Sequence, residues 1–414
     1  MNLDAHSALA IIISLAVLIG YFNYRFVRLQ STIAIMAGAL IVSIVLIVVG
    51  SKSYNAVHPA IINFVKNLHF GHFLMQFLLG SLLFAGALFI DLSRMKQDRW
   101  EIGTLAVFST VASTFIVGTL MWLWLKLLPL QLGYAKCLLF GALISPTDPI
   151  AVLAIFKKIG APETLTTIVS SESLFNDGVG VVLFATIYSA AFSPHLPTAM
   201  SVIWFFIRES IGGIFYGLVA GWVLCQMMKS VKDYKMHVLL TIAFVFGGYC
   251  LANAMELSGL LAMVVMGIFV GNYKRRTMIT PRARRHLEEF WEIIDELFNA
   301  ILFLMLGLEI VVIHFDWWLV LAAVIAIVMT LLTRYVTVAA PMSLIRRWRN
   351  HAPFTISILT WGGLRGGLAV ALALAIPNGR SHEIILCMTY GVVLFAVLVQ
   401  GTTIKPLAKL AKNV

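Results

Sequence analysis

Charge is scarce in this chain of 414 residues: only 12% are Asp, Glu, Lys or Arg, and 60% are hydrophobic. A typical soluble domain carries about 25% charged residues, so a water-facing globular surface is excluded over most of the length. Cysteine is equally thin. Cys137, Cys225, Cys250 and Cys387 lie in or beside apolar stretches with no paired spacing. That excludes a thiolate metal site and a disulfide framework and leaves them as small packing residues. No P-loop, no HExxH and no GxSxG occurs. The longest polar stretch runs from about 273 to 289. With no room for a soluble catalytic domain, an ATP-driven pump and a two-domain enzyme are excluded.

What is present is a series of apolar stretches, nearly all long enough to cross a hydrocarbon core of ~30 Å. They fall at 7–24, 31–50, 71–91, 102–128, 135–157, 164–193, 202–228, 236–256, 258–272, 290–312, 317–343, 352–376 and 383–405. The reading is an all-α polytopic membrane protein with about 13 transmembrane helices, or twelve if 236–256 and 258–272 form one span. The first segment is expected to remain in the mature chain, because no positive region precedes it and no A-x-A-type cleavage site follows.

Basic residues set the orientation. With the N-terminus outside, one set of loops takes 22 of the 30 Lys and Arg, among them Arg94, Lys157, Lys158 and Arg285, and the other side takes five. The richer side is the cytoplasmic one, and the C-terminus lies there. The net charge of +11 is thus membrane topology and not a nucleic-acid footprint. Arg208, Arg334 and Arg365 fall within or at the edge of spans.

Against this background two acidic motifs stand out. Ser171-Glu172-Ser173-Leu174-Phe175-Asn176-Asp177-Gly178 leads directly into an apolar run, and Ser145-Pro146-Thr147-Asp148-Pro149 is flanked by apolar sequence on both sides. An acid at the centre of a spanning helix costs roughly 2.5–3.5 kcal/mol on insertion scales, so it calls for a function. Carboxylates, a hydroxyl and freed carbonyls suit a small hard cation or a proton. At helical spacing Ser173 and Asp177 share one face, Glu172 and Asn176 the adjoining one. An unpaired Arg334 would be costly, so a Glu172–Arg334 ion pair is its simplest account, with direct ion contact by Glu172 left open. Asp177, with no second basic residue nearby, is the expected proton carrier.

Two spans are built to break. Pro146 and Pro149 straddle Thr147-Asp148, and Trp361-Gly362-Gly363-Leu364-Arg365-Gly366-Gly367 places four glycines and an arginine inside another span. If 1–193 and 236–405 are two inverted six-helix repeats, both broken helices are the fifth of their repeat, with the crossing at the midplane. Asp148 then offsets the positive half-helix N-termini and Arg365 the negative C-termini.

These residues resemble the monovalent cation:proton antiporter-1 family, the NhaP-type group related to the animal sodium/proton exchangers. The two acidic motifs are the specific matches, joined by Leu257-Ser258-Gly259-Leu260-Leu261-Ala262, Leu304-Met305-Leu306-Gly307-Leu308 and the Trp361–Gly366 run. The resemblance implies a homodimer with a dimerisation or scaffold domain (1–101 and 202–312) and a mobile ion-translocating core (102–193 and 317–414). It implies that Asp177, Asp148 and Ser173 bind the ion together with the Thr147 carbonyl, that Asn176 orients the site and that Glu172 pairs with Arg334. The Asn176-Asp177 pair implies electroneutral exchange. Many animal members carry an acid in the third span, where this chain reads Leu83-Phe84-Ala85-Gly86-Ala87, so no such role transfers.

The resulting expectation is a secondary antiporter in the cell inner membrane, exchanging cytoplasmic Na+ or Li+ for external H+ without a cofactor. A K+/H+ antiporter on the same fold and a gated cation channel are the alternatives. A membrane-embedded hydrolase is the weakest reading, since Ser173 has no histidine beside it. Of the ten histidines, His58, His69 and His72 cluster in one external segment and are read as interfacial polar residues or a pH sensor.

Overall fold

A computed structural model describes residues 5–52, 78–192, 198–276, 281–311, 316–345 and 354–412. His58, His69 and His72, the basic residues Lys66, Arg346, Arg347 and Arg349, and residues 71–77 of the third apolar segment lie outside these. Everything regular among the described residues is helical. In chain order the elements are α1 (Ala5–Phe22), α2 (Ser31–Lys52), α3 (Leu79–Leu88), a short α4 (Leu92–Gln97) and α5 (Arg99–Leu125). There follow α6 (Tyr134–Ile144), α7 (Ile150–Ile159), α8 (Glu163–Phe192), α9 (Ala199–Ser230), α10 (Tyr234–Ala254) and α11 (Gly259–Arg276). The last group is α12 (Pro281–Glu309), α13 (Trp317–Ile345), α14 (Thr355–Trp361), α15 (Gly367–Leu374), α16 (Arg380–Phe395) and α17 (Gly401–Lys412). A π-helical stretch, Ala396–Gln400, joins the last two.

Seven of these stretches are long and apolar enough to cross a membrane: Ala10–Val27, Arg99–Leu125, Glu163–Phe192, Met200–Ser230, Tyr234–Ala254, Trp317–Ile345 and Arg380–Lys409. Shorter apolar helices supplement them at Ser31–Ile47, Leu79–Leu88, Tyr134–Ile144 and Gly259–Tyr273. α10 and α11 are separate helices. The turn between them places Glu256 at φ 57°, where Arg208 of α9 meets its carboxylate at 2.6 Å. The polar stretch 273–289 is not the long loop expected from sequence. α11 runs to Arg276 and α12 begins at Pro281, its first turns carrying the pairs Arg284–Glu288 (3.0 Å) and Arg285–Glu289 (2.7 Å). Pairs four apart brace the polar side of these turns, while Ala283, Leu287 and Trp291 are buried on the other side.

Large apolar side chains point outward along the long helices, among them Leu18, Ile41, Phe108, Trp204, Phe215, Trp222, Val324 and Leu332. Such a surface would aggregate in water and is stable against lipid. On α13 the sorting is clear: Leu332, Tyr335 and Val336 are exposed, whereas Thr333, Arg334 and Thr337 are buried. Without a hydrophobic drive between helices in lipid, close packing holds them together, and small residues permit it. A Cβ placed on Gly118 of α5 would lie 2.8 Å from Leu138 Cα of α6, and one on Gly267 of α11 would lie 2.7 Å from the Phe84 carbonyl of α3. α12 packs against α1, α2 and α3, and α9 lies on α11. α5, α6, α13 and α16 pack side by side, with α8 against α6. Trp291 of α12 is fully buried, donating to Thr241 Oγ1 at 3.0 Å and set edge-on to Phe84.

Candidate ion-binding site

The site grows out of two places where helices stop inside the molecule. α6 ends at Ile144 and α7 starts at Ile150, leaving 145–149 unwound. Pro146 and Pro149 cannot supply amide protons, and each disfavours helix before it. α14 ends at Trp361 and α15 starts at Gly367, leaving 362–366 unwound. The two gaps touch: the Asp148 N–H donates to the Leu364 carbonyl at 2.9 Å. Gly366 sits directly against the Asp148 carboxylate, so no side chain fits there. Gly180 of α8 faces the Pro146 ring just as closely, which lets α8 pass against the first gap.

Several of the freed backbone groups find partners, as a membrane interior favours. Asp148 accepts from the Ile150 N–H at 3.0 Å, which caps α7 at its positive end. Asn176 of α8 grips Thr147 twice, accepting from its N–H at 3.2 Å and donating to its hydroxyl at 2.8 Å. The Ser173 hydroxyl donates to the Thr147 carbonyl. At the C-terminal end of α14 the carbonyls of Leu359, Trp361 and Gly363 receive Arg334 (3.2 Å), Gln400 (3.0 Å) and Arg365 (3.2 Å). Two cations and an amide thus face the negative end of a half-helix.

Glu172 and Arg334 meet at 2.6 Å, with side chains 2% and 6% exposed. The approach is off the hydrogen-bonding line, so this is a close ion pair; the guanidinium turns its other edge to Leu359. Asp177 is different. Among the described residues it has no hydrogen-bond or ion-pair partner, and its charged neighbours are Asp148 and Arg365. It lines a cavity of about 730 Å3 shared with Thr147, Asp148 and Ser173. Asp91, Arg94 and Lys157 also line the cavity, and Arg94 bonds Glu163 at 2.8 Å on the exposed surface.

The structure therefore brings together Asp148, Asp177, Ser173, Thr147 and Asn176, joins Glu172 to Arg334, and places Arg365 in the second gap. Such an arrangement offers a carboxylate pair, a hydroxyl and a carbonyl to one small cation, and a lone carboxylate to a proton. The sodium/hydrogen exchanger family, described as transmembrane, matches residues 12–410. The chain belongs to that family. Among its relatives the Na(+)/H(+) antiporter NhaP of Pseudomonas aeruginosa is 42% identical over 404 residues, which is 97% of this chain and 95% of that one. The Na(+)/H(+) antiporter NhaH of Halobacillus aidingensis is 37% identical over 322 residues, 76% of each chain. The solved sodium proton antiporter MjNhaP1 from Methanocaldococcus jannaschii shares the fold, with a TM-score of 0.77 over 98% of both chains at 18% identity.

For this exchanger-family chain, two parts of the site were invisible in sequence. Gln400 lies in the final apolar run, where one amide gives no signal of its partner Trp361, 39 residues away. Glu292, Asp295 and Asn299 of α12 line the same cavity as Asp177. In the sequence they sit at the edge of an apolar run, where acids read as a solvated boundary.

Proposed function

We propose that this protein is a secondary antiporter that exchanges cytoplasmic Na+ (or Li+) for external H+, one for one, by alternating access. Asp177 carries the reading: a carboxylate with no partner among the described residues, in a cavity it shares with Asp148, Ser173 and Thr147, where two interrupted helices touch. The cation would take the carboxylates of Asp177 and Asp148, the Ser173 hydroxyl and the Thr147 carbonyl, replacing the Ser173–Thr147 hydrogen bond. A proton on Asp177 would exclude it. Asn176 holds the Thr147 loop in place for both states, and Glu172 stays paired to Arg334.

In this reading about thirteen spans form two inverted six-helix repeats, with the N-terminus outside and the C-terminus in the cytoplasm of an inner-membrane homodimer. Residues 102–193 and 317–414 move as the ion-carrying core against a scaffold of 1–101 and 202–312. Support comes from the side-by-side packing of α5, α6, α13 and α16 and from the contacts of α12 with α1, α2 and α3. The relatives named as Na(+)/H(+) antiporters support the choice of ions. The test is recovery of a quenched pH-dye signal in everted vesicles on adding Na+, Li+ and K+ in turn. Recovery with Na+ or Li+ is expected. A response to K+ alone would assign the same fold to K+/H+ exchange, and no response to any cation would sink the antiporter reading.

A further inference from the structure

The cavity that exposes Asp177 has a second acidic wall that the ion site leaves unused. Glu292, Asp295 and Asn299 recur along one face of α12 and all line it. The wall that α3 contributes is apolar through Leu79, Leu82, Leu83 and Gly86. Asp295 is half-buried, hydrogen-bonded to Asn299, and has Asp148 as a charged neighbour. Among the described residues no Lys or Arg forms an ion pair with it. Asn299 is 2% exposed and, among the described residues, its Oδ1 has no partner. A carboxylate can only accept, so the amide N–H2 faces Asp295 and the carbonyl oxygen is the end left over. A buried acceptor without a donor is costly, and a cation removes that cost.

We propose that Asp295 and Asn299 form an outer docking position for a partly hydrated monovalent cation, which holds the ion before it passes to Asp148 and Asp177. The proposal rests on the antiporter reading of the inner site. Asp295 supplies the charge, Asn299 Oδ1 a neutral oxygen, and cavity water the remaining ligands. Glu292, exposed to solvent, adds only screened long-range attraction.

The test uses the full-length protein, in proteoliposomes for flux and in detergent for binding of radiolabelled Na+. Asp295→Asn and Asn299→Leu are each expected to raise the half-saturating Na+ concentration at least about fivefold, more than they change the maximal rate. With the inner site disabled by Asp177→Asn, weak saturable Na+ binding is expected to survive and to vanish when Asp295→Asn is added. Half-saturation at the wild-type value in both single variants, or no saturable binding left in Asp177→Asn, overturns the outer site while wild-type exchange stands. A shift in Asp295→Asn with Asn299→Leu unchanged means through-space attraction without ligation, and also overturns it. Should Asn299→Leu fail to fold, Asp295→Asn, at a half-exposed position, carries both the flux and the binding measurement. A wild-type protein that moves no protons on cation addition sinks the antiporter reading instead.

Discussion

Asp177 and Glu172 lie five residues apart on one helix and are expected to fail in opposite ways when altered. Asp177 has no partner to lose among the described residues, so Asp177→Asn should fold and melt like wild type while cation-driven proton movement disappears. An amide neither carries the proton nor balances the ion. Exchange near the wild-type rate in that variant would remove Asp177 from the mechanism. Glu172 and Arg334 hold each other at 2.6 Å inside the protein, and removing one leaves the other charged and unpaired, a penalty of about 3–5 kcal/mol. Glu172→Gln and Arg334→Ala should therefore lower the melting temperature in detergent. If both melt as wild type while Na+ affinity collapses, Glu172 touches the ion. At this scale acids and an arginine within apolar runs are legible, because their insertion cost marks them. Asn299 is not: a neutral amide costs little to place, and what distinguishes it here, an orphaned oxygen, is a tertiary fact.

The breaks in the helices were written in prolines and glycines, and both lie where those residues put them, at 145–149 and 362–366. That the two gaps touch through Asp148 and Leu364 had no local signal, since the partners are separated by most of the core. The polar first turns of α12 were also hidden, because an apolar-run criterion sees only the part of a helix that lipid covers. Crossing at such close range gives a sharp expectation for Gly366. Its φ of −124° suits any residue, so the constraint is steric: a methyl group would collide with the Asp148 carboxylate. Gly366→Ala should destabilise by about 1–3 kcal/mol through overpacking and displace Asp148 from the ion. Lowered melting together with weakened Na+ affinity is the expected pair of readouts. Wild-type affinity in a variant that melts normally would show that the two gaps separate freely during transport.

Across the whole molecule the deciding quantity is the charge moved per cycle. The charges at the crossing are Asp148, Asp177, Glu172, Arg334 and Arg365, with Asp295 beside Asp148 from α12, and Glu172 and Arg334 cancel in a fixed pair. Arg365 is tied to the Gly363 carbonyl, and the Asp148 carboxylate is held by the Ile150 N–H at the start of α7. In the proposed exchange Asp177 is the group that trades a proton for an ion, and the neighbouring position is the amide Asn176, occupied on both sides by Thr147. One H+ inward for one Na+ outward carries no net charge, so flux should not respond to membrane potential, whereas each uncompensated charge would feel roughly 2.3 kcal/mol per 100 mV. The measurement is Na+-driven proton flux in proteoliposomes with the potential clamped by potassium and valinomycin, or held at zero. Equal rates and equal end-points are expected. A shift with potential would mean that more than one proton moves per ion and that Asp148 titrates as well; Asp148→Asn should then abolish the potential dependence along with the second proton.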